Sequence, residues 1–149
     1  MIFLKNPFVL NKTDLILHQL HINFVSPSPD ILKLCNFCWN IGKIAAISIP
    51  NCSILELIYK YNITIRYQKS LSTINNIIFS YYNKSNNTIT IFEDTIKQYF
   101  DVSNYDLFLT HEFFHFLQCN NYYKLKPYKL NFLNEICAFS FSNNFGIMR

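Results

Sequence analysis

Residues 103–118 read SNYDLFLTHEFFHFLQ. Ser103 with Asp106 three positions on is a capping-box pattern, set directly before an apolar run, so the stretch predicts a helix reaching about Gln118. Within it stands His111-Glu112-Phe113-Phe114-His115, an HExxH pattern. Residues four apart on an α-helix share one face, one turn above the other. The two imidazoles therefore point the same way, with reach for a single metal ion at about 2.0–2.1 Å from each nitrogen. Glu112 projects beside that face, where a carboxylate can meet a water held by the metal without itself being a ligand, as a general base must. Phe113, Phe114, Phe116 and Leu117 supply the apolar faces that bury the helix. Independent residue frequencies place such a pattern in about three of a thousand chains of this composition, so it carries information.

A hydrolytic zinc site needs a third protein ligand and an open fourth position. His18 and His21 qualify by residue type but lie far upstream. Glu135, twenty residues after His115, is the better candidate. Asn131 can cap a last helix through about Asn144, with Gly146 just past its end, and Glu135 falls in its first turns. The connector 120–130 is long enough to turn the chain back and set Glu135 against His111 and His115. Leu133, Ile136, Cys137, Ala138 and Phe139 surround this one acid. A carboxylate buried among them needs a partner, and a metal supplies it. Between Asp106 and the C-terminus the only acids are Glu112 and Glu135.

Upstream of the motif the texture is β. Residues 62–68, NITIRYQ, alternate with period two, as a half-buried strand does. Residues 75–82 are rich in β-formers, 83–87 form a polar turn, and TITIF at 88–92 alternates again, which predicts a hairpin. The N-terminal third is helical in pattern. A short helix is expected over 12–22, a break at the Ser-Pro-Ser-Pro of 26–29, a long helix from Asp30 to about Ile47 closed by Pro50, and a short one over 53–61. Ser53 and Glu56 make a capping box for that last one. The sum is an α+β fold: a small three-stranded sheet packed on the HExxH helix and a following glutamate-bearing helix, after a helical N-terminal third.

Composition bounds the rest. The chain has 149 residues, 50% hydrophobic and 17% aromatic with 15% charged, which suits one domain over 1–149 and excludes a disordered tail. The net charge of +4 comes almost wholly from scattered lysines, with one local cluster at Lys124, Lys126 and Lys129, and shows no nucleic-acid-binding motif. Five cysteines argue against a disulfide framework. The lone Cys35-x-x-Cys38 reads as two small buried residues on a helix. The stretch Ile44 to Ile49 is far short of a membrane span. The first residues show no secretory leader pattern, so the expected location is the cytoplasm.

HEFFH followed by Glu135-x-x-Ala138-x-x-Phe141 resembles the ImmA/IrrE family of zincin metallopeptidases. The preceding helix, strand and hairpin are also similar, so the resemblance covers about residues 52–145. It implies a zincin-like fold in which His111, His115 and Glu135 bind zinc and Glu112 activates water. It also implies a protein or peptide substrate, paired as an added strand on an edge formed by 87–92. The family often carries or neighbours a helix-turn-helix unit, and none is visible here. Thermolysin-like gluzincins share an Asn-Glu such as Asn134-Glu135, but then place an Asp four residues on to hold a ligand His; here that position is Phe139. The partner that orients the histidines is therefore unassigned. Tyr122, Tyr123 and Tyr128 lie in the connector where a stabiliser of the tetrahedral intermediate could sit, and read equally as aromatic packing. Two functional readings result. One is a zinc-dependent endopeptidase. The other is a non-catalytic binding or regulatory module whose last two helices are held together by zinc.

Overall fold

The computed structural model describes residues 29–69 and 78–147. The helix expected over 12–22, the histidines at 18 and 21 and the start of the second strand lie outside the described residues.

Helix α1 spans Pro29–Ser48. Proline suits its first turn, where no intrahelical N–H bond is lost, and Asp30 complements the helix dipole. Its buried stripe is Cys35, Cys38, Trp39, Gly42, Ala45 and Ala46, small residues apart from Trp39. The small stripe lets α1 press closely on the last helix. A Cβ added at Gly42 would stand 2.2 Å from the Cys137 carbonyl oxygen and 2.8 Å from the Phe141 nitrogen. The Ser140 hydroxyl adds a hydrogen bond to the Trp39 carbonyl across the same contact. Cys35 and Cys38 are buried thiols on this helix, as their spacing predicts.

Helix α2 spans Ile54–Lys60 and is capped as expected, the Ser53 hydroxyl accepting from the Glu56 backbone N–H at 3.1 Å. Asn62, in the left-handed region at φ 56°, turns the chain into strand β1, Thr64–Gln68. Strands β2, Ser80–Asn83, and β3, Thr88–Phe92, form the hairpin. Asn87, also left-handed at φ 52°, closes its turn; its Oδ1 accepts from the Tyr82 hydroxyl at 2.8 Å.

The sheet order is β1-β3-β2. Strand β3 runs parallel to β1, with Thr64 opposite Thr88 and Gln68 opposite Phe92, and antiparallel to β2, with Ser80 opposite Ile91. This corrects the expectation that 87–92 forms an edge. All five β3 residues are buried and both its sides are paired, so no peptide can add there. Among the described residues the edges are β1 and β2.

Helix α3, Glu93–Tyr99, was not expected. It begins on two acids but buries only Ile96, too little to show a helical period. Helix α4, Asp106–Cys119, carries HExxH. Ser103 does not cap it. Tyr105 occupies the cap position without a side-chain hydrogen bond, and Asn104 instead accepts from the Asp106 N–H at 3.0 Å. The Tyr105 hydroxyl reaches Glu93 at 3.2 Å and ties α3 to this start. A 3-10 turn at Tyr122–Lys124 follows, and helix α5 spans Asn131–Ile147. Gly146 lies inside α5 rather than beyond it.

Helix α4 lies between the sheet and α5. Phe113, Phe114, Phe116, Phe139 and Phe141, the expected walls of the site helices, are all buried. Phe114 meets Phe141 at 5.3 Å between ring centroids, while Gln118 hydrogen-bonds Asn134. These pairs run in opposite chain directions, so the connector does reverse the chain. No helix among the described residues is long and apolar enough to cross a membrane.

Candidate metal centre

The two histidines of α4 and the glutamate of α5 converge. His111 Nε2 lies 2.8 Å from Glu135 Oε2, His115 Nε2 lies 3.2 Å from Glu135 Oε1, and the two Nε2 atoms are 3.2 Å apart. The three ligand atoms all fall within 4.8 Å of one another, the only such group of His, Cys, Asp and Glu side chains among the described residues. A tetrahedral ion with ligands at about 2.0–2.1 Å would hold neighbouring ligand atoms about 3.3 Å apart. The observed spacings are close to that edge and slightly drawn in. The donor set fits as well. Two imidazole nitrogens facing each other at 3.2 Å are an awkward pair when both carry hydrogens, and a cation between them and a carboxylate removes the conflict. The three residues could thus hold a metal ion.

The electrostatics favour the ligating forms. Burial lowers the His111 pKa against the pull of Glu135, so the ring is neutral near pH 7. Burial opposes ionisation of Glu112 and Glu135, but positive charge near them outweighs it. Glu135 is held well below the usual carboxylate range and Glu112 below it. His111 is fully buried, Glu135 nearly so, and His115 keeps 12 % of its side chain exposed.

The orienting groups differ from those of a typical metal site. The second ring nitrogen of His111, Nδ1, is buried without a hydrogen-bond partner among the described residues. A ligand histidine usually donates from that position. In its place the Phe139 ring packs on the imidazole, 4.5 Å between centroids at 64°. Phe139 stands where the thermolysin-like pattern has an acid, so packing rather than a hydrogen bond sets the ring plane.

Glu112 is fully buried beside the triad and is not one of its three members. Its Oε2 accepts a hydrogen bond from the Ser80 hydroxyl of β2 at 2.6 Å. Ser80 carried no expectation beyond its place in a β-rich run. Asn134 was also missed as a positioning group. Its Oδ1 accepts from the Tyr128 N–H at 2.7 Å and from Gln118 at 3.3 Å, and its Nδ2 donates to the Tyr128 carbonyl at 3.0 Å. The residue before Glu135 thereby pins the connector to the end of α4. An Asn three residues into a helix, following a Pro-containing loop, was the available signal.

The three connector tyrosines lie elsewhere. Tyr122 lies against Tyr61 and Phe116, Tyr128 packs against the core with its backbone held by Asn134, and Tyr123 is largely exposed. The aromatic-packing reading holds for Tyr122, the one of the three with ring contacts among the described residues. Compared with protein-family models, with curated proteins and with solved structures, the chain matches none.

Proposed function

We propose that the chain is a zinc-dependent metalloendopeptidase of a zincin-like, ImmA/IrrE-like type, acting on a protein or peptide. The observation that supports this reading is the meeting of His111, His115 and Glu135 at one point with the buried carboxylate of Glu112 alongside. Two nitrogens and one carboxylate suit zinc better than a hard cation, which prefers oxygen ligands. Bound there, zinc would polarise the scissile carbonyl and acidify a water. His111 and His115 would supply neutral nitrogens, and Glu135 would hold the ion and neutralise one of its charges. Glu112 would take the proton of the attacking water and return it to the leaving amine.

The burial of the site favours a second reading, a zinc-stabilised binding or regulatory module, since among the four site residues only His115 is more than slightly exposed. Against it stands Glu112: a structural site is closed by four protein ligands and has no use for an adjacent base. The two readings part in one experiment. Zinc-loaded wild type and Glu112→Gln are incubated with an unfolded protein such as reduced casein and with quenched peptide libraries. The expected result is equal zinc content and cleavage reduced by about 10²–10⁴-fold in the variant. Equal cleavage by both would sink the assigned role of Glu112, and no cleavage by wild type would favour the module.

A further inference from the structure

Strand β2 and helix α4 share a matched face. Ser80 and Tyr82, two apart on the strand, point to the same side of the sheet. Ser80 meets Glu112, and Tyr82 meets Phe116 with ring centroids 5.8 Å apart. The Tyr82 hydroxyl then accepts from Asn120 at 3.3 Å. Glu112, Phe116 and Asn120 form one i, i+4, i+8 ridge of the helix. A two-residue strand step of about 6.8 Å nearly equals a four-residue helix step of about 6 Å. The strand therefore tracks the ridge, and the position opposite Glu112 falls on Ser80.

The contact is more than satisfaction of a buried hydroxyl. Its 2.6 Å length is that of a charge-assisted O–H···O⁻ bond. The last torsion of a glutamate is broad and two-fold, so each hydrogen bond to the carboxylate narrows the orientations open to it. A hydroxyl bound to one oxygen fixes the direction of the other. Ser80 belongs to the sheet, and Tyr82 anchors the same strand to the helix two residues on, so the hydroxyl is itself held in place.

We propose that Ser80 is a positioning residue for Glu112, fixing Oε2 so that Oε1 is presented to the water that Glu112 deprotonates. This rests on the reading of His111, His115 and Glu135 as a zinc site. Its test uses acetohydroxamate as probe, a small ligand that chelates zinc at an open position and passes its proton to an adjacent base. Zinc content per chain and the Kd of the probe are measured for wild type, Ser80→Ala, Ser80→Cys and Ser80→Thr, and for Glu112→Gln with and without Ser80→Ala.

One zinc per chain is expected throughout. Ser80→Ala and the near-isosteric Ser80→Cys should weaken the probe about tenfold, and Ser80→Thr, which keeps the hydroxyl, should stay within about twofold. In the Glu112→Gln background Ser80→Ala should add nothing, because the coupling runs through the carboxylate. Unchanged probe affinity in Ser80→Ala and Ser80→Cys, or a tenfold loss that persists without Glu112, overturns the role of Ser80 while leaving the zinc site standing. Wild type that binds no zinc, or binds zinc but not the probe, overturns the catalytic-site reading itself and the role of Ser80 with it.

Discussion

Gly42→Ala tests how the fold holds the metal ligands. The added Cβ would lie 2.2 Å from the Cys137 carbonyl oxygen, with the Phe141 nitrogen and Ser140 Cβ both at 2.8 Å. Real Cβ contacts essentially never fall below 3.0 Å, so the helices must part by at least about 0.8 Å. The nearest obstacle is backbone and cannot swing aside. Overpacking of this kind costs about 1–3 kcal/mol, and a backbone clash lies at the upper end. In a domain of this size about 3 kcal/mol lowers Tm by roughly 6–12 °C. The strain has a functional consequence too. Cys137 is two residues past Glu135 on α5, so a shift of that size there carries Glu135 away from histidines that it meets at 2.8 and 3.2 Å. Zinc affinity should fall together with Tm. Thermal melts by circular dichroism and competition with a chromophoric chelator measure the two. A variant melting within about 1 °C of wild type would refute the packing argument. A destabilised variant with unchanged zinc affinity would refute the claim that the α1–α5 contact positions Glu135.

Three further outcomes follow from the site. Glu135→Gln keeps the shape of the ligand but not its charge, and should weaken zinc more than about a hundredfold, beyond the usual effect of altering an outer partner; chelator competition reads it. Zinc at a hundred times its Kd should stabilise the fold by about 2.7 kcal/mol, seen as a rise in Tm that His111→Ala abolishes. For pH, the folded His111 pKa lies below its ordinary value because of burial, so the unfolded chain binds the proton first. The metal-free protein should then lose stability as pH falls through about 6.5, and zinc should be released over the same range; denaturant midpoints that rise on acidification would contradict the sign.

The site was more legible in the sequence than the sheet. HExxH carries its own geometry, because four residues of helix fix the face that both imidazoles share. Glu135 was readable because it is a lone acid in an apolar helix, and the structure brings it to both histidines. The Ser53 cap is local and was found. Strand order is not local. TITIF alternates as a half-buried edge would, yet Thr88 and Thr90 are buried along with Ile89 and Ile91 because both neighbours pair with β3. Threonine fits either face of a strand, so the pattern could not separate edge from centre. Helix α3 buries too few side chains to print a period. The start of α4 was misplaced because Ser103 and Asn104 are both competent turn residues, and geometry chose the second. Ser80 left no trace, since a serine among β-formers has no signature until its partner is known.

That His111 Nδ1 has no hydrogen-bond partner among the described residues bears on what Glu135 does. A hydrogen bond at Nδ1 would tell the two ring nitrogens apart and so select which one faces the ligand point. The Phe139 contact cannot, because an aromatic ring 4.5 Å away fixes the plane of the imidazole but not its flip. Among the described residues the selecting contact is on the other side of the ring, where Glu135 Oε2 stands 2.8 Å from Nε2. One carboxylate thus serves twice, as a candidate ligand and as the group that His111 Nε2 faces. The second oxygen of the same carboxylate lies 3.2 Å from His115 Nε2, so both ring orientations depend on α5. A thermolysin-like pattern divides these tasks between a glutamate and an acid one turn later. Here the later position is Phe139, an apolar ring buried against the HExxH helix, so among the described residues Glu135 is the carboxylate that meets both imidazoles.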